Sequence, residues 1–196
     1  MMDVIASDSR DRMIQSAALL FRENGYSGTG FRDVIEHSGA PRGSIYHHFP
    51  GGKEQLAAET VAWAADVIER RIARAAQSGD PIAALGIFVE SWRDVLEDSN
   101  FRAGCPIVAV AAEADAGSTA TDAAAAAFTR WQDLIGRTLL DAGVSRTDAR
   151  RLATTVVAAI EGAILLCRVR RDIRPLRDVH RALEATLRTA ISWHDR

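Results

Sequence analysis

The chain has 196 residues, of which 47% are apolar, and a formal net charge of −2 at pH 7. This length and composition allow a folded protein with a sizeable core and exclude a disordered chain. The near-neutral charge excludes a chain that holds nucleic acid by an overall excess of basic residues. The two cysteines, Cys105 and Cys167, are better explained as small buried side chains than as a disulfide.

The first residues predict no secretory signal peptide, because they are acidic and lack a basic segment before an apolar core. The longest nearly apolar run covers 153–167 and is interrupted by Glu161. That run is shorter than the roughly 18–20 residues that span a bilayer. We therefore expect a cytoplasmic protein with no membrane partner.

Helical periodicity runs through the whole chain, and no long alternation of β-branched residues predicts a strand. The expected fold class is therefore all-α. Ser7 or Ser9 can cap a first helix. Gly25 is suited to end that helix, because glycine readily takes the left-handed conformation of a helix C-terminus.

Two short helices are predicted next. Thr29 can cap the second helix of the chain, and Gly39 can close it. The third helix is predicted to begin at Pro41, since proline suits a first helical turn, and to end before Pro50.

Six longer segments with helical periodicity follow. Asp80 is expected to cap the fifth helix, and Gly143 is expected to end the seventh. Ser145 or Thr147 can cap the eighth. The predicted ranges are 53–76, 81–96, 105–114, 122–141, from the cap at 145 or 147 to 170, and 174–193.

The second and third helices have the arrangement of a helix-turn-helix, in which the later helix enters the major groove of DNA. In the third helix, Ile45 and Phe49 have the i, i+4 spacing that buries one helix face. The remaining positions face outward and suit base edges and phosphates: Arg42, Gly43, Ser44, Tyr46, His47 and His48. By spacing alone, a solvated helical corner is an equal alternative.

Two further residues beside this pair suit phosphate binding. Thr29 provides a hydroxyl at the start of the second helix, whose free amides can bind an anion. Lys53, the only lysine of the chain, stands at the start of the fourth helix, where its charge and the helix dipole both attract a phosphate.

The histidines of the third helix could suggest a metal site or a catalytic pair. His47 and His48 are adjacent on a helix and point about 100° apart, so they do not readily share one ion. Ser44 and His48 have an i, i+4 spacing, but no acid that could orient the histidine is nearby. We therefore predict no metal, no cofactor and no enzymatic activity.

Residues 10–56 resemble the N-terminal domain of the TetR family of transcriptional regulators. The segments that match in order and spacing are LFRENGY, FRDVIEHSG and RGSIYHHFPGGKEQL. The GGK spelling and GCPIVAVAAEA at 104–114 resemble the branch that includes drug- and flavonoid-responsive repressors of efflux genes. The resemblance implies a helix-turn-helix DNA-binding domain over 1–52 and a helical effector-binding and dimerisation domain over 53–196.

The resemblance also implies which residues contact DNA. They are Thr29, Arg42, Gly43, Ser44, Tyr46, His47, His48 and Lys53. Pro41 departs from the pattern, since many relatives carry a hydroxyl residue there, and Glu36 and His37 stay unassigned.

One short recognition helix reads only a few base pairs, so specific binding is expected to need two copies about 34 Å apart on a near-palindromic duplex. The family usually dimerises through its last two helices, which here carry stripes of small and apolar residues. The predicted homodimer interface consists of Ala159, Gly162, Ala163, Leu166, Leu183, Leu187, Ala190 and Ile191. The same stripes could instead close the protein's own core.

Aromatic and apolar residues from several later helices could line a cavity for a small-molecule effector, where the family places its ligand. The predicted lining residues are Trp63, Phe88, Trp92, Phe101, Cys105, Val108, Phe128, Trp131 and Cys167. Ordinary core packing is the alternative for each of them. The sequence thus predicts a repressor that a small apolar or aromatic effector releases from double-stranded DNA, and the alternative is a helical small-molecule-binding protein without DNA binding.

Overall fold

The computed structural model describes residues 9–194 and, for the last two of these, only the backbone, so Ser7 as a helix cap lies outside the described residues. Within this range the chain forms nine α-helices and no strand, which confirms the all-α prediction. The helices are α1 (Ser9–Asn24), α2 (Phe31–Ser38), α3 (Ser44–His48), α4 (Gly52–Ala76), α5 (Pro81–Asp98), α6 (Pro106–Glu113), α7 (Thr119–Asp141), α8 (Arg146–Arg170) and α9 (Arg174–His194).

Helix α1 is held by apolar residues that recur every four positions. Met13, Ala17 and Phe21 are at most 1% exposed and form its buried face. The helix ends as predicted at Gly25, which has φ +82° and donates its amide to the Phe21 carbonyl at 3.0 Å.

Helix α2 begins differently from the prediction. Its N-cap is Gly30, whose amide donates to the Asp33 carboxylate at 2.7 Å. The predicted cap at Thr29 is wrong, because the Thr29 hydroxyl donates instead to the Gly25 carbonyl at 2.9 Å. Gly39 ends the helix as predicted, with φ +65°.

Helix α3 begins three residues later than the predicted start at Pro41. The amide and the hydroxyl of Ser44 both donate to the Pro41 carbonyl, at 3.0 Å and 2.7 Å. These bonds span three residues and close a turn that is tighter than an α-helical turn. Residues 41–43 therefore form the turn that leads into a helix of five residues.

The caps predicted for the later helices are mostly confirmed. The Asp80 carboxylate accepts the Ile82 amide at 2.8 Å, which satisfies a free amide at the start of α5. Gly143 has φ +89° and follows α7. Of the two candidates for α8, Ser145 is the cap, since its hydroxyl accepts the Asp148 amide at 3.2 Å.

The chain forms two compact units. The first unit comprises residues up to Asp66 together with Cys105–Ala127, and within it α1 packs against α2, α3 and α6. The second comprises Val67–Gly104 and the residues from Phe128 onward, and within it α5, α8 and α9 pack against one another. Helix α4 continues without a break from the first unit into the second.

Helix α8 is long and apolar enough to cross a membrane by length and composition alone. Its most apolar stretch of 18 residues has a mean hydropathy of 1.8, and 33% of that stretch is buried. A single helix of this kind is weak evidence for a membrane span, because helices of soluble proteins can meet the same criteria.

Candidate nucleic-acid interface

The recognition helix α3 is anchored on one side and open on the other. Ile45 and Phe49 are 0% exposed, which confirms the predicted inward face. Tyr46 is 68% exposed, and Arg42 and His47 are exposed beside it. A helix of five residues has few internal hydrogen bonds, so these two buried side chains fix its orientation.

An aromatic contact sets the direction of Tyr46. Its ring meets that of Phe31, the first residue of α2, edge to face, with centroids 5.5 Å apart and planes at 75°. Such a pair contributes about 0.5–1.5 kcal/mol beyond area burial. Sequence reasoning did not assign Phe31, although an aromatic residue at the start of the supporting helix was a visible signal.

Polar contacts join α1 to the recognition elements. The Arg10 guanidinium lies 5.6 Å from the centroid of the Phe49 ring and forms an ion pair with Glu59 of α4. The Nδ1 atom of His37 lies 3.0 Å from the hydroxyl oxygen of Ser16. These residues were missed from the sequence, because the partners are far apart in the chain.

Ser44 has a more restricted role than the sequence indicated. Its hydroxyl hydrogen is donated to the Pro41 carbonyl, so in this geometry the oxygen can accept a hydrogen bond from a base but cannot donate to a phosphate. Gly43 has no atom within 4 Å of the position that a side chain would occupy, and its backbone is exposed.

Thr29, a predicted DNA contact, is only 1% exposed. Since its hydroxyl donates to the Gly25 carbonyl, the side chain stabilises the loop between α1 and α2 and does not face solvent.

The predicted phosphate ligand Lys53 lies folded back on the same loop. Its ammonium group is 4.4 Å from the centroid of the Tyr26 ring and 3.5 Å from the Ser27 carbonyl oxygen. Burial lowers the pKa of Lys53, and the attraction of Glu113 and Asp33 opposes that lowering. Lys53 is half-buried against the loop, and its ammonium group keeps further N–H donors besides the one directed at Ser27.

Glu54, the residue after Lys53, caps helix α7. Its Oε1 atom accepts both the amide and the hydroxyl of Thr119, each at 2.9 Å. These two hydrogen bonds lower the pKa of Glu54, because they stabilise the charged carboxylate.

Glu54→Gln should therefore destabilise the protein in a pH-dependent way. A lowered pKa in the folded state means stability that is present above the ordinary glutamate pKa of about 4.3 and is lost as the pH falls through the folded value. Urea unfolding of both proteins at about pH 7 and about pH 3 checks this. The variant should be less stable than the unmodified protein at the higher pH, and this difference should shrink at the lower pH. An equal difference at both would contradict the assignment.

An apolar cavity of the second unit has walls that differ from the predicted ligand site. Its volume is about 50 Å³. Its walls are Ile72, Ala75, Ala76, Pro81, Ala84, Leu85, Phe88, Ile135, Thr138, Leu139, Val156 and Leu187. Phe88 is the one predicted ligand residue among them.

The other predicted ligand residues are divided between the two units. Trp63, Cys105 and Val108 belong to the first, and the second contains Trp92, Phe101, Phe128, Trp131 and Cys167. Trp92, Trp131 and Cys167 are at most 3% exposed, as in an ordinary core.

Three of the predicted interface residues lie inside the protomer. Ala163, Leu183 and Leu187 are 1–5% exposed and have almost no surface left to bury against a partner. Of the others, Gly162 and Leu166 are exposed, and those that are half-buried are Ala159, Ala190 and Ile191.

Two exposed residues of α8 extend the apolar surface around Leu166. Leu165 is 55% exposed and Val169 is 75% exposed. Together with Gly162 and Leu166 they recur at helical spacing on the solvent side of α8, and we call these four residues the α8 face. An apolar stripe of this kind is typical of an interaction surface.

A buried support beneath an exposed recognition helix, at the start of an all-helical chain, defines a helix-turn-helix DNA-binding protein. Residues 13–60 match the family of bacterial regulatory proteins, tetR family, and residues 81–182 match the C-terminal domain of LmrA/YxaF-like transcriptional regulators. The chain belongs to the TetR family of transcriptional regulators, in the LmrA/YxaF-like group. Members of this family are soluble DNA-binding regulators, not enzymes.

Individual relatives agree with this assignment. The chain is 44% identical to the HTH-type transcriptional regulator Rv0196 of Mycobacterium tuberculosis over 184 residues, or 91% of this chain and 93% of the relative. It is 36% identical to the HTH-type transcriptional regulator LmrA of Bacillus subtilis over 171 residues, or 86% and 91%. The crystal structure of regulatory protein TetR from Rhodobacter sphaeroides has the same fold, with a TM-score of 0.83, 22% identity and coverage of 91% and 98%.

Proposed function

We propose that this regulator is a cytoplasmic homodimer that represses transcription from a near-palindromic operator and is released by a small apolar or aromatic effector. The observation that carries the proposal is the exposed face of α3 above the buried side chains of Ile45 and Phe49. That face has donors for base edges and phosphates and no carboxylate.

Each residue of the recognition helix has a distinct role in this proposal. Arg42 precedes α3 and can donate two hydrogen bonds to a guanine edge or bind a phosphate. Tyr46 and His48 bind phosphates, and His47 faces the groove. Gly43 allows the backbone to approach the duplex closely. Lys53, beside the Tyr26 ring, binds a phosphate.

The α8 face supports the dimer. In a monomer the apolar side chains of Leu165, Leu166 and Val169 stay exposed to water and contribute little to stability. A second copy of the chain would bury all three. A two-fold axis through this face gives the two recognition helices that a palindrome requires.

The cavity of the second unit supports the effector site. Its lining is apolar, and three of the lining residues, Ile72, Ala75 and Ala76, belong to α4. A drug-sized ligand needs about 300–1,000 Å³ and the cavity measures about 50 Å³, so the effector widens the cavity as it binds. Helix α4 also begins beside the recognition helix, so an effector that binds one arrangement of α4 more tightly changes the affinity for DNA. The change is no larger than the difference between the effector's affinities for the two arrangements.

The proposal is tested by the salt dependence of duplex binding. Lys53→Ala should weaken binding on all sequences and reduce the slope of log K against log salt by about one unit, because one phosphate contact is lost. Arg42→Ala should cost about 1–3 kcal/mol and relax the preference at particular base pairs. Fluorescence anisotropy at several salt concentrations measures both. Slopes and preferences identical to those of the unmodified protein would contradict the proposed roles.

A further inference from the structure

Glu113, the last residue of α6, reaches the loop between α1 and α2. Its Oε2 atom accepts the Ser27 amide at 2.7 Å. A Cβ atom at Gly25 would lie 2.7 Å from Oε1 of Glu113. Gly25 is thus required twice, since its φ of +82° ends α1 and its missing side chain admits the carboxylate.

The same loop holds Lys53 from the other side. The Ser27 amide donates a hydrogen bond to Glu113, and the Ser27 carbonyl accepts one from Lys53. The Tyr26 ring lies under the Lys53 ammonium group. The negative charge of Glu113 attracts Lys53 and favours its charged form. Glu113, Ser27, Tyr26 and Lys53 therefore form one connected group within the first unit.

We propose that Glu113 is a positioning residue for DNA binding: it favours the position of Lys53 against Tyr26 and Ser27, and a DNA phosphate competes with it for the Lys53 ammonium group. This inference rests on the proposed function, in which Lys53 binds a phosphate. Glu113 is carried by α6 and not by the helix-turn-helix. A displacement of α6 therefore alters how readily Lys53 reaches DNA, without any change in the recognition helix.

Glu113→Gln tests the role of the charge. The glutamine oxygen can still accept the Ser27 amide, so the loop keeps its hydrogen bond while the negative charge is removed. We expect the variant to bind its operator duplex roughly three- to tenfold more tightly at low salt, with the gain shrinking as salt screens the charge. Asp98→Asn, which makes the same charge change at an exposed residue at the end of α5, should leave the affinity unchanged.

A double-mutant cycle separates this route from a general charge effect. In a Lys53→Gln background, Glu113→Gln should lose most of its gain in affinity, because the lysine ammonium group that Glu113 attracts is absent. A full gain in that background, or a gain no larger than that of Asp98→Asn, would overturn the proposal.

A measurement without DNA keeps the inference separate from the proposed function. Lys53 is the only lysine, so reductive methylation with ¹³C labels this side chain and the N-terminus alone. In NMR titrations of the full chain, Glu113→Gln should lower the pKa of Lys53, since an attracting charge is lost. If that pKa moves but the unmodified protein binds no duplex, the contact is real and the proposed function fails. If the unmodified protein binds an inverted repeat but neither the pKa nor the affinity responds to Glu113→Gln, the inference fails alone.

Discussion

Phe49→Ala should lower the free energy of unfolding by about 3–5 kcal/mol and abolish duplex binding. Phe49 follows the last residue of α3, is 0% exposed and contacts the Arg10 guanidinium. Its removal leaves a cavity beneath a helix of five residues that has little stability of its own. Urea unfolding followed by circular dichroism measures the loss.

Tyr46→Ala is the matched control on the same helix. Tyr46 is 68% exposed, so its loss should cost no more than about 1.5 kcal/mol of stability, chiefly from the contact with Phe31. Duplex binding should nevertheless weaken clearly. If the two substitutions had equal effects on stability, Phe49 could not be the support of the recognition helix.

Replacing both Leu165 and Leu166 by glutamate should convert the proposed dimer to a monomer and weaken operator binding by at least about 100-fold. Two charges would be buried without partners in the proposed interface, and a monomer contacts only one half-site. Sedimentation equilibrium distinguishes a single chain of 21.2 kDa from a particle of twice that mass.

Ile87→Glu provides the control for the α8 face. Ile87 is 51% exposed on α5, so this variant adds a charge at an equally exposed aliphatic position outside α8. It should remain a dimer. If the double glutamate variant of α8 stays dimeric, or if the Ile87 variant dissociates, the dimer interface does not lie at the α8 face.

Local residues made most helix ends predictable. Gly25 and Gly39 end their helices because each needs a left-handed backbone, and Asp80 caps α5 because its carboxylate meets a free amide. The start of α3 was not predictable in this way. The amide and the hydroxyl of Ser44 both donate to the Pro41 carbonyl there and close a tighter turn.

The candidate sites were predictable where periodicity determines them. The buried and exposed faces of α3 follow from the spacing of Ile45 and Phe49. Periodicity predicts that a residue is buried but not which residues bury it. Leu183 was therefore assigned to an interface between protomers, although it is buried within the protomer. Glu113, sixty residues away in the chain, attracts the charge of Lys53, and no local pattern contains that interaction.

Selection of bound duplexes from a random-sequence pool tests the regulator account most directly. Two recognition helices related by a two-fold axis should enrich an inverted repeat with half-sites about 34 Å apart, or about ten base pairs from centre to centre. The enrichment should be lost with the double glutamate variant of α8. Enrichment of a single unrepeated site, or of no sequence at all, would contradict the account of a dimer that presents α3 to successive major grooves.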